Sequence, residues 1–524
     1  MVSPNEKLAS SLEELHALQQ DGRRVFRSSE LTRTHRERLV QAGYLKEIMR
    51  GWLISSSPNV RVGDTTPWYA SFWEFCAAYC NERFGDRWSL SAEQSLSLYA
   101  EETAVPRQVI VWSTQATGNL IRLPENTSIY ETKIRTEPPA VEVRDGLRLL
   151  SLSASLVGAS IAFYRSRPIV IRAALAAMKS PAEVLAILLD GGHTEKAGVI
   201  AGALGAIGRG DWANEIVDAM KAAHHAVRIT NPFDGEIAAP AVVAPSPIVG
   251  RLRSMWDLHR DAVIRSFPAP PGVPADHDAY LQAVDDIYKH DAYHSLSIEG
   301  YRVTPDLIER VRAGTWDAEA NATDNEQKNA MAAKGYWDAF QIVRSDVARI
   351  VNGESAGAVV REDHNVWYRA LFQQFVSSGV MRASALAGYR STPVFINQSR
   401  HLPPRKDVVP DAMGAFFELL AAERDAGVRA VLGHWMLGYI HPYSDGNGRV
   451  ARFLMNTMLA SGGYPWTVIR VEDRAQYMAA LESASVDEDL APFAQFIAER
   501  VKWAMDFSAK PKSDPDDEEP APAP

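Results

Sequence analysis

The sequence predicts a multidomain protein of α and α+β parts. An N-terminal winged helix-turn-helix leads into a mixed α/β body, and an all-α domain closes the chain. Three observations carry this. The 524 residues are too many for one hydrophobic core, so two or three domains are expected. Residues 1–62 read as helix, turn, helix and two short alternating strands. Beyond about residue 278, apolar residues recur at helical spacing in "GAFFELLAA", "VRAVLGHWMLGYI" and "VARFLMNTMLASGG".

Composition sets limits. The chain is 46% hydrophobic and 23% charged, ordinary for a soluble globular protein, with a formal net charge of −10. Any nucleic-acid binding must therefore come from a local basic patch. The two cysteines, Cys76 and Cys80, sit at i,i+4 spacing, read as small core residues on one helix face. They exclude a disulfide framework and do not make a zinc site. The N-terminus has no basic-then-apolar signal pattern, and no apolar run is long enough for a membrane span. A cytoplasmic protein is expected.

In the N-terminal block, "SLEELHALQQ" is amphipathic. "RSSELTRTHRERLVQAG" offers caps at Ser28 or Ser29 and at Thr32 or Thr34, with a stop at Gly43. "YLKEIMRGWLISS" alternates around Arg50-Gly51 like a hairpin. The second helix would expose Arg33, His35, Arg36 and Arg38, a surface fit for phosphates. A solvated charged helix remains the alternative, since Glu30, Glu37 and Glu47 dilute the patch.

Residues 63–235 mix strand-like "RQVIVWS" and "SIYETKI" with helix-like "PAEVLAILLDGG" and "DWANEIVDAMKAA". "GALGAIGRG" lacks the strand, the Lys-Ser/Thr and the downstream acid of a nucleotide loop, and reads as tight helix–helix packing. His224-His225 reads as a helix-end surface feature. The order of elements over residues 8–235, with "LTRTHRERLVQAGYLKEIMRGWLISS" followed by "TPWYASFWEF", resembles AbiEi-type antitoxins and regulators. That resemblance implies DNA as a partner. Residues 236–277 form a linker with a helix, rich in Pro and Ala at "EIAAPAVVAPSPIVG". The helical domain spans 278–507, and the acidic, proline-rich 508–524 is expected to be disordered.

The densest chemistry lies in "IHPYSDGNGRVARF", Ile440 to Phe453. A buried helix should end at His441-Pro442, because the residue before proline leaves the helical region. "SDGNG" then needs glycine freedom at Gly446 and Gly448. A second helix starts there, so its N–H groups form an anion site. Arg449 and Arg452 fall one turn apart on one face, suiting an extended polyphosphate. Asp445 can hold a divalent cation that bridges phosphate oxygens. His441 at the rim can take a proton from a hydroxyl.

"HPYSDGNGRVAR" resembles the signature of Fic-domain proteins, H-P-F-x-D/E-G-N-G/K-R-x-x-R, most of which transfer AMP. The resemblance covers about residues 280–505. Tyr443 departs from the usual Phe; its ring should pack beneath the loop and its hydroxyl needs a partner. Gly448 stands where Doc-type kinases carry Lys, which favours AMP transfer over phosphate transfer. The resemblance implies His441 as general base on a Ser, Thr or Tyr hydroxyl of a target protein or of the chain itself. It implies Asp445 on Mg²⁺, Asn447 on the α-phosphate, and the amides around Gly446 and Gly448 on the phosphate chain of ATP. Arg449 would take the β- and γ-phosphates, and Tyr477 would lie near the adenine. "LAGYRSTPVFINQSRHLPPRKDVVPDAM" resembles the Fic flap, a β-hairpin whose edge at Thr392, Val394 and Ile396 would pair with the target.

"YHSLSIEGYRVTPDLIERV" places Ser295 and Glu299 at i,i+4 before Gly300, where a helix should stop. The pattern matches the Fic inhibitory motif, in an inhibitory helix near 280–300. Glu299 would pair with Arg452 and block the γ-phosphate site. In some relatives the same glutamate assists AMP removal. The alternatives to an enzyme are an ATP-sensing transcriptional regulator and a fused toxin–antitoxin module; a regulator has no need of a base at His441.

Overall fold

A computed structural model describes residues 3–59, 63–138, 140–233, 246–315 and 324–508. The chain divides into two compact units. One comprises residues 1–255 with 394–404, the other 256–393 with 405–524. Among the described residues the protein is mostly helical with small sheets.

In the first unit, α1 (Pro4–Leu18) is started by a Ser3–Glu6 capping box. Then come β1 (Val25–Arg27), α2 (Arg33–Gln41), β2 (Leu45–Met49) and β3 (Trp52–Ser55). Thr32 caps α2, its side chain accepting from His35 N. The strands form an antiparallel sheet in the order β1-β3-β2. Gly51, at φ 85°, turns the β2–β3 hairpin. Residues before the expected division at 62 hold a small core of their own (Leu15, Phe26, Leu31, Leu39, Leu45 and Leu53), and a second core crosses that position. Val25, Trp52 and Ile54 share one core with Trp68, Phe72, Phe75, Cys76 and Cys80 of α3 (Thr66–Phe84).

Beyond α3 follow β4 (Ser89–Leu90), α4 (Ala92–Tyr99), β5 (Gln108–Ser113), β6 (Leu120–Arg122), β7 (Ser128–Lys133), β8 (Val141–Arg144) and β9 (Leu147–Leu150). The four-stranded sheet β4-β5-β7-β6 pairs β5 and β7 in parallel. A helical layer completes the unit: α5 (Leu152–Gly158), α6 (Ile161–Ser166), α7 (Pro168–Ala176), α8 (Ala182–Asp190), α9 (Thr194–Ala206) and α10 (Gly210–Ala222). The close packing expected of "GALGAIGRG" is present, since α9 packs on α10, and at Gly202 it also involves a non-helical segment. A Cβ there would sit 2.1 Å from the Thr230 carbonyl oxygen of a non-helical segment. His224, at φ 64°, lies exposed just past α10.

Part of the linker, residues 236–245, and the tail from 509 lie outside the described residues. From Pro247 the chain is helical as α11 (Pro247–Ser266), with proline in the first turn, where its missing N–H costs nothing. The second unit is all-helical: α12 (His277–Ile298), α13 (Pro305–Arg312), α14 (Asp324–Val351), α15 (Ala356–Ser377), α16 (Val409–Ala422), α17 (Ala426–Ile440), α18 (Asn447–Ala460), α19 (Arg474–Val486) and α20 (Ala491–Ser508). Helix α17 is apolar nearly all round and α18 buries thirteen residues, so the loop between them is held on a rigid base. No helix among the described residues is long and apolar enough to cross a membrane.

Candidate active site

Helix α17 ends at His441, whose backbone is left-handed (φ 50°, ψ 58°). A non-glycine residue held there stores strain of about 1–3 kcal/mol. Its Nδ1 lies 3.2 Å from the Gly438 carbonyl oxygen. That acceptor keeps the proton on Nδ1 and leaves Nε2 as the basic nitrogen. Burial pushes the His441 pKa down to about 4, so the ring is neutral near pH 7. Arg390, which sequence reasoning missed, donates from its backbone N to the Pro442 carbonyl and from Nε to the His441 carbonyl, both at 2.8 Å.

Gly446 caps α18 at φ 80°, and a Cβ there would lie 2.6 Å from Phe372 Cε2. Conformation and space both demand glycine. Gly448 differs from expectation. It is helical, and what excludes a side chain is a carboxylate: a Cβ would lie 2.4 Å from Glu299 Oε1. Asn447 differs too. Its Oδ1 accepts from Tyr443 N and its Nδ2 donates to the Tyr443 carbonyl, both at 2.9 Å. The amide that was expected on an α-phosphate is engaged in pinning the loop; the first backbone N–H groups of α18 carry no intrahelical bond and are open to an anion. Tyr443 stacks on Tyr368 at 4.0 Å, and its hydroxyl donates to Asn365 Oδ1 at 2.8 Å.

Arg449 is buried, yet its Nε and Nη1 find no hydrogen-bond partner among the described residues. Its guanidinium lies 4.8 Å over Phe372 and 5.4 Å over Tyr301. Neither ring was foreseen, because both lie far from the motif in sequence. Asp445 is 55% exposed at the rim. Its Oδ1 accepts from Gly446 N at 2.5 Å and stands 3.5 Å from Arg449 Nη2. A single exposed carboxylate suits Mg²⁺, which takes one or two protein carboxylates and completes its shell with phosphate and water.

Arg452 is held by α12. Its Nε donates to Ser295 Oγ at 2.8 Å, and its Nη2 to the Ser295 carbonyl at 3.1 Å and to Glu299 Oε1 at 2.7 Å. Gly300, at φ 89°, ends the helix there. Burial alone would raise the Glu299 carboxyl. The Arg452 and Arg449 charges outweigh it and hold the group below its ordinary value. Tyr477 was expected near adenine. It is buried in the core, its hydroxyl 2.7 Å from His434 Nε2 and its ring near Phe493 and Phe496. Helix α19 turns Tyr477, Ala480 and Ala484 inward on one apolar face, which overrides the expectation.

Residues 361–459 match the Fic/DOC family. The chain thus carries a Fic/DOC domain and is related to protein adenylyltransferase Fic proteins. The relative from Nematostella vectensis is 29% identical over 242 residues, 45% of this chain and 52% of its own length. That from Culex quinquefasciatus is 29% identical over 260 residues, 48% and 46% of the two chains. The chain spans about half the length of these relatives. Among solved structures, it is similar to a Fic domain containing signaling protein from Bacteroides thetaiotaomicron (17% identity, TM-score 0.35, 50% of this chain and 95% of that one). It is also similar to Fic-1 from C. elegans (19% identity, TM-score 0.35, 64% and 89%).

Two groups of expected site residues are not where they were expected. The flap run of Thr392, Val394 and Ile396 forms no strand. Pro393 offers no N–H, and Gln398 at φ 61° breaks the extension. Thr392 is exposed in the second unit, while Val394 and Ile396 are half-buried in the first. On α2 only Arg33 of the expected arginines is fully exposed, paired with Glu37 at 2.7 Å. Arg36 donates to the Ser28 carbonyl, and Arg38 to Ser11 Oγ and the Lys7 carbonyl. Those two hold the small fold together instead of facing outward.

Proposed function

We propose that the chain is a protein adenylyltransferase, moving AMP from ATP to a Ser, Thr or Tyr hydroxyl and restrained by Glu299. One observation carries the reading. A neutral imidazole with a free Nε2 stands beside a helix N-terminus that holds a buried, half-partnered guanidinium, Arg449. The arginine and the α18 amides bind the phosphate chain. His441 Nε2 takes the hydroxyl proton as the oxygen attacks the α-phosphorus. The new O–P bond forms as the bond to the bridging oxygen breaks, and pyrophosphate leaves. Mg²⁺ on Asp445 would neutralise charge on the phosphates when bound. The protein's part is positioning and charge stabilisation, the main demands of this transfer.

The Glu299–Arg452 pair supports the restraint, because a guanidinium bonded to a carboxylate is unavailable to a γ-phosphate. The test is label transfer from ATP with Mg²⁺. Glu299→Gly should incorporate label well above the parent, and Glu299→Gly with His441→Ala should not. Equal labelling of parent and Glu299→Gly would overturn the restraint; labelling without His441 would overturn the catalytic assignment.

For the N-terminal block, the α2 and β2–β3 arrangement supports a winged helix of the AbiEi-like kind, with DNA as partner through Arg33. The tied Arg36 and Arg38 reduce the patch. A salt-dependent gel shift with its own promoter DNA is the expected outcome, and none at low salt would refute it.

A further inference from the structure

We propose that Phe372 and Tyr301 are positioning residues that hold Arg449 through their ring faces, so that its N–H donors are kept for a phosphate. The part about phosphate rests on the AMP-transfer reading; the aromatic hold does not. All three residues belong to the second unit. Neither ring lies in the motif: Tyr301 is two residues past Glu299, and Phe372 is on α15.

The two arginines of α18 are anchored in different ways. Arg452 is fixed by hydrogen bonds, from Nε to Ser295 Oγ and from Nη2 to the Ser295 carbonyl and Glu299. Those bonds consume donors that a phosphate would use. Arg449 is buried as deeply, yet its Nε and Nη1 have no hydrogen-bond partner among the described residues. Its Nη2 reaches Asp445 Oδ1 only at 3.5 Å, the outer limit for a hydrogen bond, and that carboxylate is 55% exposed. Buried polar atoms left in this way are costly and uncommon. What holds the side chain is then largely aromatic. Its Cζ lies 4.8 Å from the Phe372 ring centroid and 5.4 Å from that of Tyr301, both inside the cation–π range of about 6 Å.

A ring face meets the charge of a guanidinium without accepting its in-plane N–H groups. An arginine held this way is desolvated and placed by folding, while its donors stay open. A phosphoryl oxygen reaching Nε or Nη1 then makes a charge-assisted bond in a dry site, with little further ordering of the side chain. Burial raises the Tyr301 hydroxyl above its ordinary value, and the Arg449 charge opposes that rise. The ring is therefore neutral and keeps its attractive face. Phe372 has a second contact, since its Cε2 stands 2.6 Å from the place of a Cβ on Gly446. One ring thus fits against both the start of α18 and the arginine. It fixes the guanidinium relative to the amides that would share its phosphate chain.

Two measurements on the full chain test this. The first is NMR of protein labelled with ¹⁵N-arginine. The Arg449 Nε–H, assigned by its loss in Arg449→Lys, should carry a ring-current shift that Tyr301→Leu and Phe372→Leu each reduce. The second is titration calorimetry with ATP and with AMP, each with Mg²⁺, on Glu299→Gly/His441→Ala protein, in which Arg452 is unmasked and turnover is prevented. There Tyr301→Leu and Phe372→Leu should each weaken ATP about tenfold, the effect of losing one buried cation–π partner. Tyr301→Leu should keep its affinity for AMP, and Tyr301→Phe should restore ATP binding, because only the ring is needed. An Arg449 resonance without a ring-current shift, or one that neither leucine variant moves, overturns the aromatic hold. A resonance that moves while ATP affinity does not, or an equal loss for ATP and AMP in Tyr301→Leu, overturns its role in placing the arginine for phosphate. No ATP binding by Glu299→Gly/His441→Ala counts against the AMP-transfer reading, and the NMR still decides the hold.

Discussion

Replacing Glu299 with glycine removes the anion from a buried cation, and the cost can be bounded. Arg452 would keep Ser295 Oγ and the Ser295 carbonyl as acceptors but lose its neutralising charge. Breaking a buried pair by removing one partner costs about 3–5 kcal/mol. The Glu299 side chain is 25% exposed, so water can approach the vacated end. A cost of about 2 kcal/mol follows for a charge-assisted bond of this kind. In a domain of this size that lowers the thermal midpoint by roughly 4–8 °C. ATP should reverse the loss. The parent must break this bond before Arg452 can meet a phosphate; the variant need not. At about 1.5–3 kcal/mol for the bond, apparent ATP affinity rises roughly 10–150-fold. Thermal unfolding of the full chain, with and without ATP and Mg²⁺, reads both effects. The variant should start lower and gain more. A variant as stable as the parent without ATP, or one with the same ATP-induced shift, refutes the argument.

Three further outcomes are expected. Tyr443→Phe removes only the hydroxyl bonded to Asn365, so the second unit should lose about 1 kcal/mol while label transfer by Glu299→Gly is kept; calorimetry and the label assay check the two halves. Gly446→Ala meets both a left-handed backbone and Phe372, so it should cost roughly 2–4 kcal/mol and abolish the ATP-induced thermal shift. Stability should also depend on pH. Burial pushes His294, His364 and His441 down to about 4 and His434 down to about 3. Each is neutral in the fold, so stability falls as pH drops below about 6.5, where the unfolded chain takes up protons. Burial pushes Asp291 up to about 6 and Asp346 up to about 7, and ionising them removes stability as pH rises. Four histidines outweigh two aspartates, so between pH 5 and 6 stability should rise with pH by roughly 2–3 kcal/mol per unit. Denaturant titrations at pH 5 and 6 measure it, and a flat or inverted dependence would contradict the assigned burial.

Much of the site was legible because it is local. The loop between α17 and α18 is defined by neighbours in sequence: a proline that ends one helix, a glycine that turns, and arginines in phase on the next. Glu299 and Arg452 were also pairable, since each sits in a recognisable pattern. What was not legible depended on tertiary choices. The Asn447 amide has two acceptable uses, phosphate or loop, and only the Tyr443 backbone decides between them. Tyr477 could face a ligand or a core, and the rotation of α19 settled it. Arg36 and Arg38 read as a basic face because sequence shows charge, not the Ser28, Lys7 and Ser11 acceptors that fold back onto them. The flap read as an edge from its place before the motif, which says nothing about which surface will claim "TPVFIN".

The end of α12 has a consequence of its own. Arg452 meets not only a carboxylate but a backbone carbonyl, that of Ser295, in the last turn of a 22-residue helix. A helix C-terminus carries roughly half a negative charge from its aligned peptide dipoles. The glutamate is thus the removable part of a larger negative field, and its backbone part survives any side-chain substitution at position 299. A polyphosphate approaching Arg452 would still face that dipole, so the variant without the carboxylate should remain measurably weaker for ATP than one in which α12 is shortened by a turn.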